Sequence, residues 1–354
     1  MQRCKLTHTR GPDAVSRLPR DIIHCSSGRQ PACLAHAAAM SELLRDAASC
    51  VYATLRRLLV PEAYFFEWLA AGVTLGINYG VTSRVPVTLR ATPDQLVDGT
   101  LVHDALLLRP YTDSDTISGT LLFGLSFGLP AALVVILNVL EAPRSGGRLT
   151  AAALARGTRD VHHLMLSVLQ AYALSTCWKN WLNKGVGRQR PDFYGRLATG
   201  DQAVIAEGRA SYPSGHAAYS HTSGAVCFWY IAGRLAVMPP HDDASGSRVW
   251  TGGKIGRGQF LRLLVSLMPV GLATYIATTR LTDGVHHFSD VNAGTFIGLC
   301  CGSICYHLNY SSVWTGGAAH GPRVRIAQEA ACASGGDEVA LREVRGSQGD
   351  GGTQ

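Results

Sequence analysis

Apolar residues are concentrated in six windows along the chain, each of about 18 to 20 residues at low charge, the length at which a helix spans a bilayer. The second window carries no charged residue, and the third ends near two tryptophans that suit an interfacial aromatic belt. The pattern predicts an all-α, integral-membrane bundle of six helices, over residues 64–81, 117–140, 164–182, 215–237, 260–279 and 291–308.

Polar segments lie at both ends of this apolar region. We interpret residues 1–60 as a disordered cytosolic N-terminal tail, with a transit peptide as the alternative. The first 20 residues are basic but lack the apolar core of a secretory signal. Residues 311–354 contain too few large apolar residues to bury and are expected to form a disordered C-terminal tail. The predicted domain of six spans therefore covers residues 61–310.

Arginine and lysine indicate which side of the membrane is cytosolic. They are frequent in the N-terminal tail and in the loops at 141–163 and 238–259, so the positive-inside rule assigns both tails and these loops to the cytosol. The other connections then lie on the lumenal or extracellular face: residues 82–116, 183–214 and 280–290.

Composition agrees with a membrane protein and narrows the chemistry. Charged residues make up 16% of the chain, against about a quarter in ordinary soluble domains. A net charge of +7 suits an anionic lipid or a phosphorylated substrate, and no dense run of Lys and Arg with interleaved aromatics points to nucleic acid. The ten cysteines form no CxxC pair at zinc spacing, so we expect no metal site from them.

Three polar clusters fall on the predicted lumenal or extracellular face. They are NKGVGRQRPDF at 183–193, SYPSGHAAYSH at 211–221 and TRLTDGVHHFSDVNAG at 279–294. Each alone has an ordinary structural explanation, such as a charged helix end or an i, i+4 pair on a helix face. Together they supply the cations, the imidazoles and the carboxylate that phosphoryl transfer through a covalent intermediate requires.

Phosphate binding needs fixed cations and free backbone N–H groups. Arg190 and Arg280 are the best candidates, because the planar guanidinium binds phosphate bidentately. A proline follows Arg190 and favours an extended backbone there, in which Arg188 would point to the same face. Ser214 and Gly215 open a predicted helix, whose N-terminus attracts an anion.

The histidines divide into two chemical roles. His286 with Asp290 four residues later has the spacing of a nucleophilic imidazole oriented by a carboxylate. His216 is the candidate general acid, which would protonate the leaving oxygen. His287 would point elsewhere on a helix, so we interpret it as structural.

These motifs carry a family resemblance. "GRQRPDF", "PSGH" and R-x5-H-x3-D, in this order and separated by apolar spans, resemble the type 2 phosphatidic acid phosphatase (lipid phosphate phosphatase) superfamily over roughly residues 60 to 310. The resemblance implies an active site made of Arg190, Ser214, Gly215, His216, Arg280, His286 as the nucleophile and Asp290 as the group that orients it.

One position departs from the family pattern. The first motif of the family has a lysine where this chain has Asn183, and Lys184 follows it. A shift by one residue turns a helical side chain by about 100 degrees, so Lys184 reaches the same phosphate only if the helix has unwound there. Gly185 and Gly187 make such unwinding plausible, so Lys184 is our candidate, and Lys179 is a poorer one.

We therefore expect a membrane-bound lipid phosphate phosphatase of the endoplasmic reticulum or plasma membrane. It would hydrolyse monoesters such as phosphatidic acid, yielding diacylglycerol, through a phosphohistidine and without a metal ion or another cofactor. Its partners would be the lipid phosphate and the membrane lipids. Two alternatives stay open: a non-catalytic lipid-binding or lipid-transport protein on the same scaffold, and a phospholipid headgroup transferase.

Overall fold

The computed structural model describes residues 30–59, 64–92, 94–98, 100–142, 144–145, 148–237, 258–311, 313 and 321–322. The helices there are α1 (Gln30–Leu59), α2 (Tyr64–Thr82), α3 (Gly119–Glu141), α4 (Ala151–Val186), α5 (Phe193–Ala198), α6 (Gln202–Gly208), α7 (Gly215–Arg234), α8 (Gln259–Thr282) and α9 (Phe288–Asn309). The short strands pair antiparallel, β1 (Gln95–Val97) with β2 (Thr100–Val102) and β3 (Arg144–Ser145) with β4 (Arg148–Leu149).

The chain divides into two compact units, Met1–Cys50 and Val51–Gln354. In the first unit the described residues are the N-terminal part of α1, so residues 30–59 are helical and not the irregular tail that we predicted. Residues 1–29 of that predicted tail lie outside the described residues, as does nearly all of the C-terminal segment from 312 onward.

Each of the six predicted windows coincides with a helix of the second unit. They correspond in chain order to α2, α3, α4, α7, α8 and α9. Within the described ranges, three helices are long and apolar enough to cross a membrane, namely α3, α8 and α9. A fourth span results if residues 44–59 of α1 and helix α2 count as one broken span. The protein is thus mostly helical with several candidate spans, and the number six stays a prediction.

Helix α4 begins well before the predicted start of the third span. Its first turn is capped by Thr150, whose side chain accepts a hydrogen bond from Ala153 N at 3.2 Å. The polar residues farther along, at 156–163, are compatible with a packed helix because the buried Asp160 carboxylate accepts bonds from Tyr230 Oη at 2.5 Å and Tyr310 Oη at 2.8 Å. Satisfied in this way, a buried carboxylate does not break the helix.

A glycine stripe on α9 allows this helix to pack closely against α7. A Cβ on Gly298 would lie 2.3 Å from the Ala218 carbonyl oxygen, and one on Gly294 would lie 2.4 Å from that of Ser214. Gly302 makes an equally close approach to Thr222. Only glycine permits such contact between the backbones of α7 and α9, which brings the first turns of the two helices together.

Gly187 is the C-cap of helix α4 and sets the direction of the segment that follows it. Gly187 has φ +59, and a Cβ there would lie 1.9 Å from the Thr88 carbonyl oxygen. Its N–H donates to the Asn183 carbonyl at 3.2 Å, which closes the helix in the left-handed conformation that glycine favours. Residues 188–190 then leave the helix as irregular backbone.

Candidate active site

Residues from four separate stretches of the chain line one cavity of about 350 Å³. Four of them are site residues predicted from the sequence, Arg190, Gly215, His216 and His286, and a fifth, Lys179, is the poorer candidate for the lysine. The remaining lining residues are Gly119, Leu122, Phe123, Ser126, Tyr172, Asn183, Glu207, Ala210 and Tyr219. The cavity therefore joins a cationic and imidazole-rich floor to apolar side chains of α3.

His286 occupies the turn between α8 and α9, and its side chain is only 4% exposed. Burial lowers the pKa of His286 to about 4, although the neighbouring Asp290 carboxylate acts in the opposite direction. The imidazole is therefore neutral at neutral pH. Its Nδ1 lies 3.7 Å from Asp290 Oδ2, longer than a hydrogen bond, and has no hydrogen-bond partner among the described residues.

Asp290 is fully buried in the first turn of α9 and is held by groups from three segments. Its Oδ2 accepts bonds from Ser211 Oγ at 2.5 Å and His287 N at 3.0 Å, and its Oδ1 accepts one from Arg188 Nη1 at 2.7 Å. Arg188 also donates to Ser289 Oγ at 2.6 Å. Arg188, predicted to bind substrate, thus contacts Asp290 and is not among the residues that line the cavity.

His287 lies just before α9, in extended backbone, and contacts two segments of the chain. Its backbone N–H donates to Asp290 Oδ2 at 3.0 Å, and its Nε2 donates to the carbonyl oxygen of Gln189 at 3.1 Å. These contacts connect α9 to the segment that carries Arg190 and so fix His286 relative to that arginine.

Arg190 presents an unsatisfied guanidinium edge. Its Nη2 lies 3.0 Å from Glu207 Oε1, whereas its Nε is buried and has no hydrogen-bond partner in the part of the chain that the structure describes. Its backbone N–H donates to the Gly208 carbonyl at 2.8 Å, which anchors the arginine to α6. A buried donor without an acceptor is costly, and an oxyanion bound at this edge would satisfy it.

His216 is in the first turn of α7 and is oriented by a backbone carbonyl. Its Nε2 is 2.9 Å from the oxygen of Ile117, and because a carbonyl only accepts, this nitrogen carries a proton. The preceding Ser214 is fully buried and accepts from Ala217 N, so its hydroxyl caps the helix. Ser214 does not line the cavity, whereas Gly215 does.

Arg280 lies behind the cavity and is paired with two carboxylates. It is 1% exposed, with Nη1 3.0 Å from Asp115 Oδ1 and Nη2 2.5 Å from Asp283 Oδ2. Asp283 also accepts bonds from Thr116 N at 3.0 Å and Thr116 Oγ1 at 2.5 Å. The segment 115–117 therefore contacts both Arg280 and His216, and the acidic doublet DSD before α3 was the only sequence signal of it.

The structure separates the two candidate lysines. Lys179 lines the cavity, and a Cβ on Gly215 would lie 3.4 Å from its Cε and 3.9 Å from its Nζ. Helix α4 continues to Val186, so the unwinding that Lys184 needs does not occur. Lys184 lines a neighbouring cavity of about 360 Å³ instead.

Asn183, at the position of the family lysine, contacts the loop before α7. Its Nδ2 donates to the carbonyl oxygen of Tyr212 at 2.6 Å, with Pro213 O at 3.3 Å. Lys179 is one helical turn before Asn183, on the same face of α4. This face therefore supplies an amide to the loop and an ammonium group to the cavity.

Sequence reasoning did not identify Ser211, Glu207 or Asp115 as part of the site. Ser211 stands at the start of the cluster SYPSGH, where a serine is ordinary, and the two acidic residues lie outside the motifs. Among the described residues, no group of three or more His, Cys, Asp or Glu side chains is arranged to hold a metal ion.

Part of the chain is similar to proteins of a known family. Residues 164–314 match the family model described as the PAP2 superfamily. A PA-phosphatase related-family protein of Dictyostelium discoideum is 35% identical over 160 residues, 45% of this chain and 54% of that protein. Lipid phosphate phosphatase 2 of Arabidopsis thaliana is 28% identical over 163 residues, covering 42% and 51% of the two chains.

A third relative extends further along the chain. Diacylglycerol pyrophosphate phosphatase 1 of Saccharomyces cerevisiae is 22% identical over 221 residues, 56% of this chain and 65% of that protein. The chain spans about half the length of the first curated relatives that it matches. No solved structure matches it. The matches and the apolar helices together indicate a multi-pass membrane protein.

Proposed function

We propose, from the premise that residues 164–314 form a PAP2 superfamily domain, that the protein is a phosphatase that hydrolyses lipid phosphate monoesters through a phosphohistidine. The observation that carries the proposal is the convergence of Arg190, His216 and His286 on one cavity. The first is a cation with an unpaired buried donor, and the other two are imidazoles in different surroundings.

The phosphate group would be held by cations and backbone at the cavity floor. The unpaired Nε of Arg190, the ammonium group of Lys179 and the N-terminus of α7 at Gly215 surround the same space. Fixed donors of this kind stabilise the charge that spreads over the equatorial oxygens during phosphoryl transfer. Arg280 would act from behind, because Asp115 and Asp283 occupy its guanidinium.

His286 would be the nucleophile. With Nδ1 directed at Asp290, its Nε2 attacks phosphorus, a P–N bond forms and the P–O bond to the lipid breaks. Protonated His216 would give its Nδ1 proton to the leaving oxygen, since Nε2 is bonded to Ile117. Water would then attack the phosphohistidine, with His216 taking its proton, and inorganic phosphate and the free imidazole would result.

The lipid tails would lie against α3. Leu122 and Phe123 contribute apolar side chains to the wall of the cavity, next to the polar floor. Such a cavity suits a substrate with one phosphorylated end and one apolar end. We place it on the lumenal or extracellular face, and propose that the reaction needs no metal ion.

The proposal is tested by the release of phosphate from phosphatidic acid by the purified full chain in detergent with EDTA. His286→Ala should lower the rate by at least about a thousandfold, as loss of a nucleophile does in other enzymes. His307→Ala is the matched control, because His307 bonds Ser303 O on the same helix and does not line the cavity.

Three other results would contradict the proposal. Full activity of His286→Ala would mean that another residue is the nucleophile. A folded wild-type protein that binds phosphatidic acid without releasing phosphate would favour the lipid-binding alternative. Consumption of diacylglycerol in place of its production would favour a headgroup transferase.

A further inference from the structure

Glu207 is the one carboxylate that lines the cavity among the described residues, and it pairs with two arginines at once. Its Oε1 lies 3.0 Å from Arg190 Nη2, and its Oε2 lies 3.2 Å from Arg196 Nη1. Its side chain is 59% exposed, near the C-terminal end of the two-turn helix α6. Glu207 therefore bridges a predicted phosphate ligand and a second cation outside the cavity lining.

The two arginines differ in how firmly they are held. Arg196 is 4% exposed, its Nε donates to both carboxylate oxygens of Asp192 at 2.9 Å, and its guanidinium stacks on the ring of Tyr111 at 4.7 Å. Among the described residues, Arg190 has Glu207 as its one carboxylate partner, and its Nε has no hydrogen-bond partner there. Arg196 is thus a fixed anchor, and Arg190 is available to another anion.

Glu207 and a bound phosphate compete for the same edge of Arg190. A guanidinium binds an oxyanion most strongly with two parallel N–H donors, here Nε and Nη2. Each terminal nitrogen carries two N–H groups, so Glu207 does not use every donor, but its Oε1 lies 3.0 Å from Nη2 and its negative charge opposes a phosphate bound along this edge. Because Arg196 Nη1 lies 3.2 Å from Oε2, the carboxylate keeps a cationic partner after it leaves Arg190.

From this geometry we propose that Glu207 is a built-in competitor of the substrate: it occupies Arg190 in the empty site and moves onto Arg196 when a phosphate group enters. The inference rests on the proposed function, since it requires the cavity to bind phosphate. It makes Glu207 a residue that sets substrate affinity and phosphate release, and not one that reacts.

Neutralising Glu207 should then strengthen binding of phosphate. Exposed or half-exposed ion pairs contribute up to about 1 kcal/mol, so Glu207→Gln should lower the dissociation constant of inorganic phosphate roughly two- to fivefold. Glu207→Ala should act in the same direction. In turnover of phosphatidic acid, KM should fall by a similar factor while kcat stays within about twofold of wild type.

The measurement is calorimetric titration of the full chain in detergent with sodium phosphate, with thermal unfolding to verify the fold of each variant. Glu141→Gln is the matched control, since Glu141 is a half-exposed glutamate paired with Arg234 and does not line the cavity. It should bind phosphate as wild type does.

The opposite sign would overturn the inference. If Glu207 instead positions Arg190 for the substrate, both Glu207 variants will bind phosphate more weakly than wild type. Wild type binding phosphate and folded variants binding it no more tightly would refute the inference and leave the proposed function intact. Absence of phosphate binding in wild type and in the variants would refute both.

Discussion

At the scale of single residues, the pairing of each charged side chain matters more than its type. Arg188, Arg190 and Arg280 belong to the motifs alike, yet each has a different partner. Arg188 holds Asp290, Arg280 is shared by two aspartates, and Arg190 keeps one buried donor without an acceptor. Sequence spacing named the three arginines but did not distinguish these roles, because their partners lie far away in the chain.

Lys179 and Lys184 test whether the surroundings of a charged side chain, and not its residue type, decide its role. Lys179→Met should lower kcat/KM for phosphatidic acid by about a hundredfold, the usual effect of removing one donor to the transition state. Lys184→Met should change it far less, because Lys184 lines the neighbouring cavity. Steady-state assays of the two variants decide the point, and a larger loss in Lys184→Met would show that the lysines are assigned the wrong way round.

Burial of His286 predicts how stability varies with pH. In the unfolded chain, His286 has the ordinary pKa near 6.5 and binds a proton below that pH. In the folded protein its pKa is about 4, so it stays neutral down to about pH 4. The free energy of unfolding should therefore decrease as the pH falls from 6.5 to 4. His286→Gln lacks this contribution, so its unfolding temperature should decline less than that of wild type over this window; parallel declines would contradict the lowered pKa.

At the scale of helices, the apolar windows were sufficient to predict where α2, α3, α8 and α9 lie, because these helices are apolar over most of their length. Helix α7 was located by the apolar residues of its second half, since its first half is polar. The early start of α4 was missed because residues 156–163 are mostly polar, and buried groups among them are satisfied by long-range contacts such as that of Asp160 with Tyr310. Such contacts join residues far apart in the chain, so a local stretch of sequence does not reveal them. The helical residues before position 60 and the hairpin of β1 and β2 were missed as well.

The glycine stripe on α9 predicts a strong effect of a small substitution. In Gly298→Ala the new methyl group would meet backbone of α7 at 2.3 Å, so the helices must separate. We expect a loss of about 1 to 3 kcal/mol in stability, together with lower phosphatase activity. Gly128→Ala on α3 is the control, since nothing lies within 4 Å of its Cβ and alanine favours a helix. Equal thermal unfolding of the two variants would mean that α7 and α9 are not tightly packed.

At the scale of the whole molecule, the orientation in the membrane is the largest prediction that remains. The natural sequon at Asn309 does not report it well, because that side chain is buried and its Nδ2 donates to Gln170 Oε1 at 2.7 Å. A folded protein should leave Asn309 unmodified on either side of the membrane.

A new sequon in the 82–116 segment tests the orientation directly. Asp98→Asn creates the sequence Asn-Gly-Thr in an exposed turn, where φ is +50, a conformation that asparagine tolerates well. If this segment is lumenal or extracellular, the variant expressed in eukaryotic cells should gain a glycan, seen as a gel shift that a glycosidase reverses. Wild type is the control, and absence of a shift in a folded, active variant would oppose the proposed topology.

The close backbone contact between α7 and α9 also limits how a lipid can enter. With no side chain between them at Gly294, Gly298 and Gly302, the two helices have no room to shift against each other. Any widening of the cavity should come from the opposite wall, where α3 contributes Leu122 and Phe123. Spin labels on α3 and α9 should therefore move apart when substrate binds, while labels on α7 and α9 keep their separation. In that case α3 is the mobile wall of the cavity, and the pair of α7 and α9 is its rigid wall.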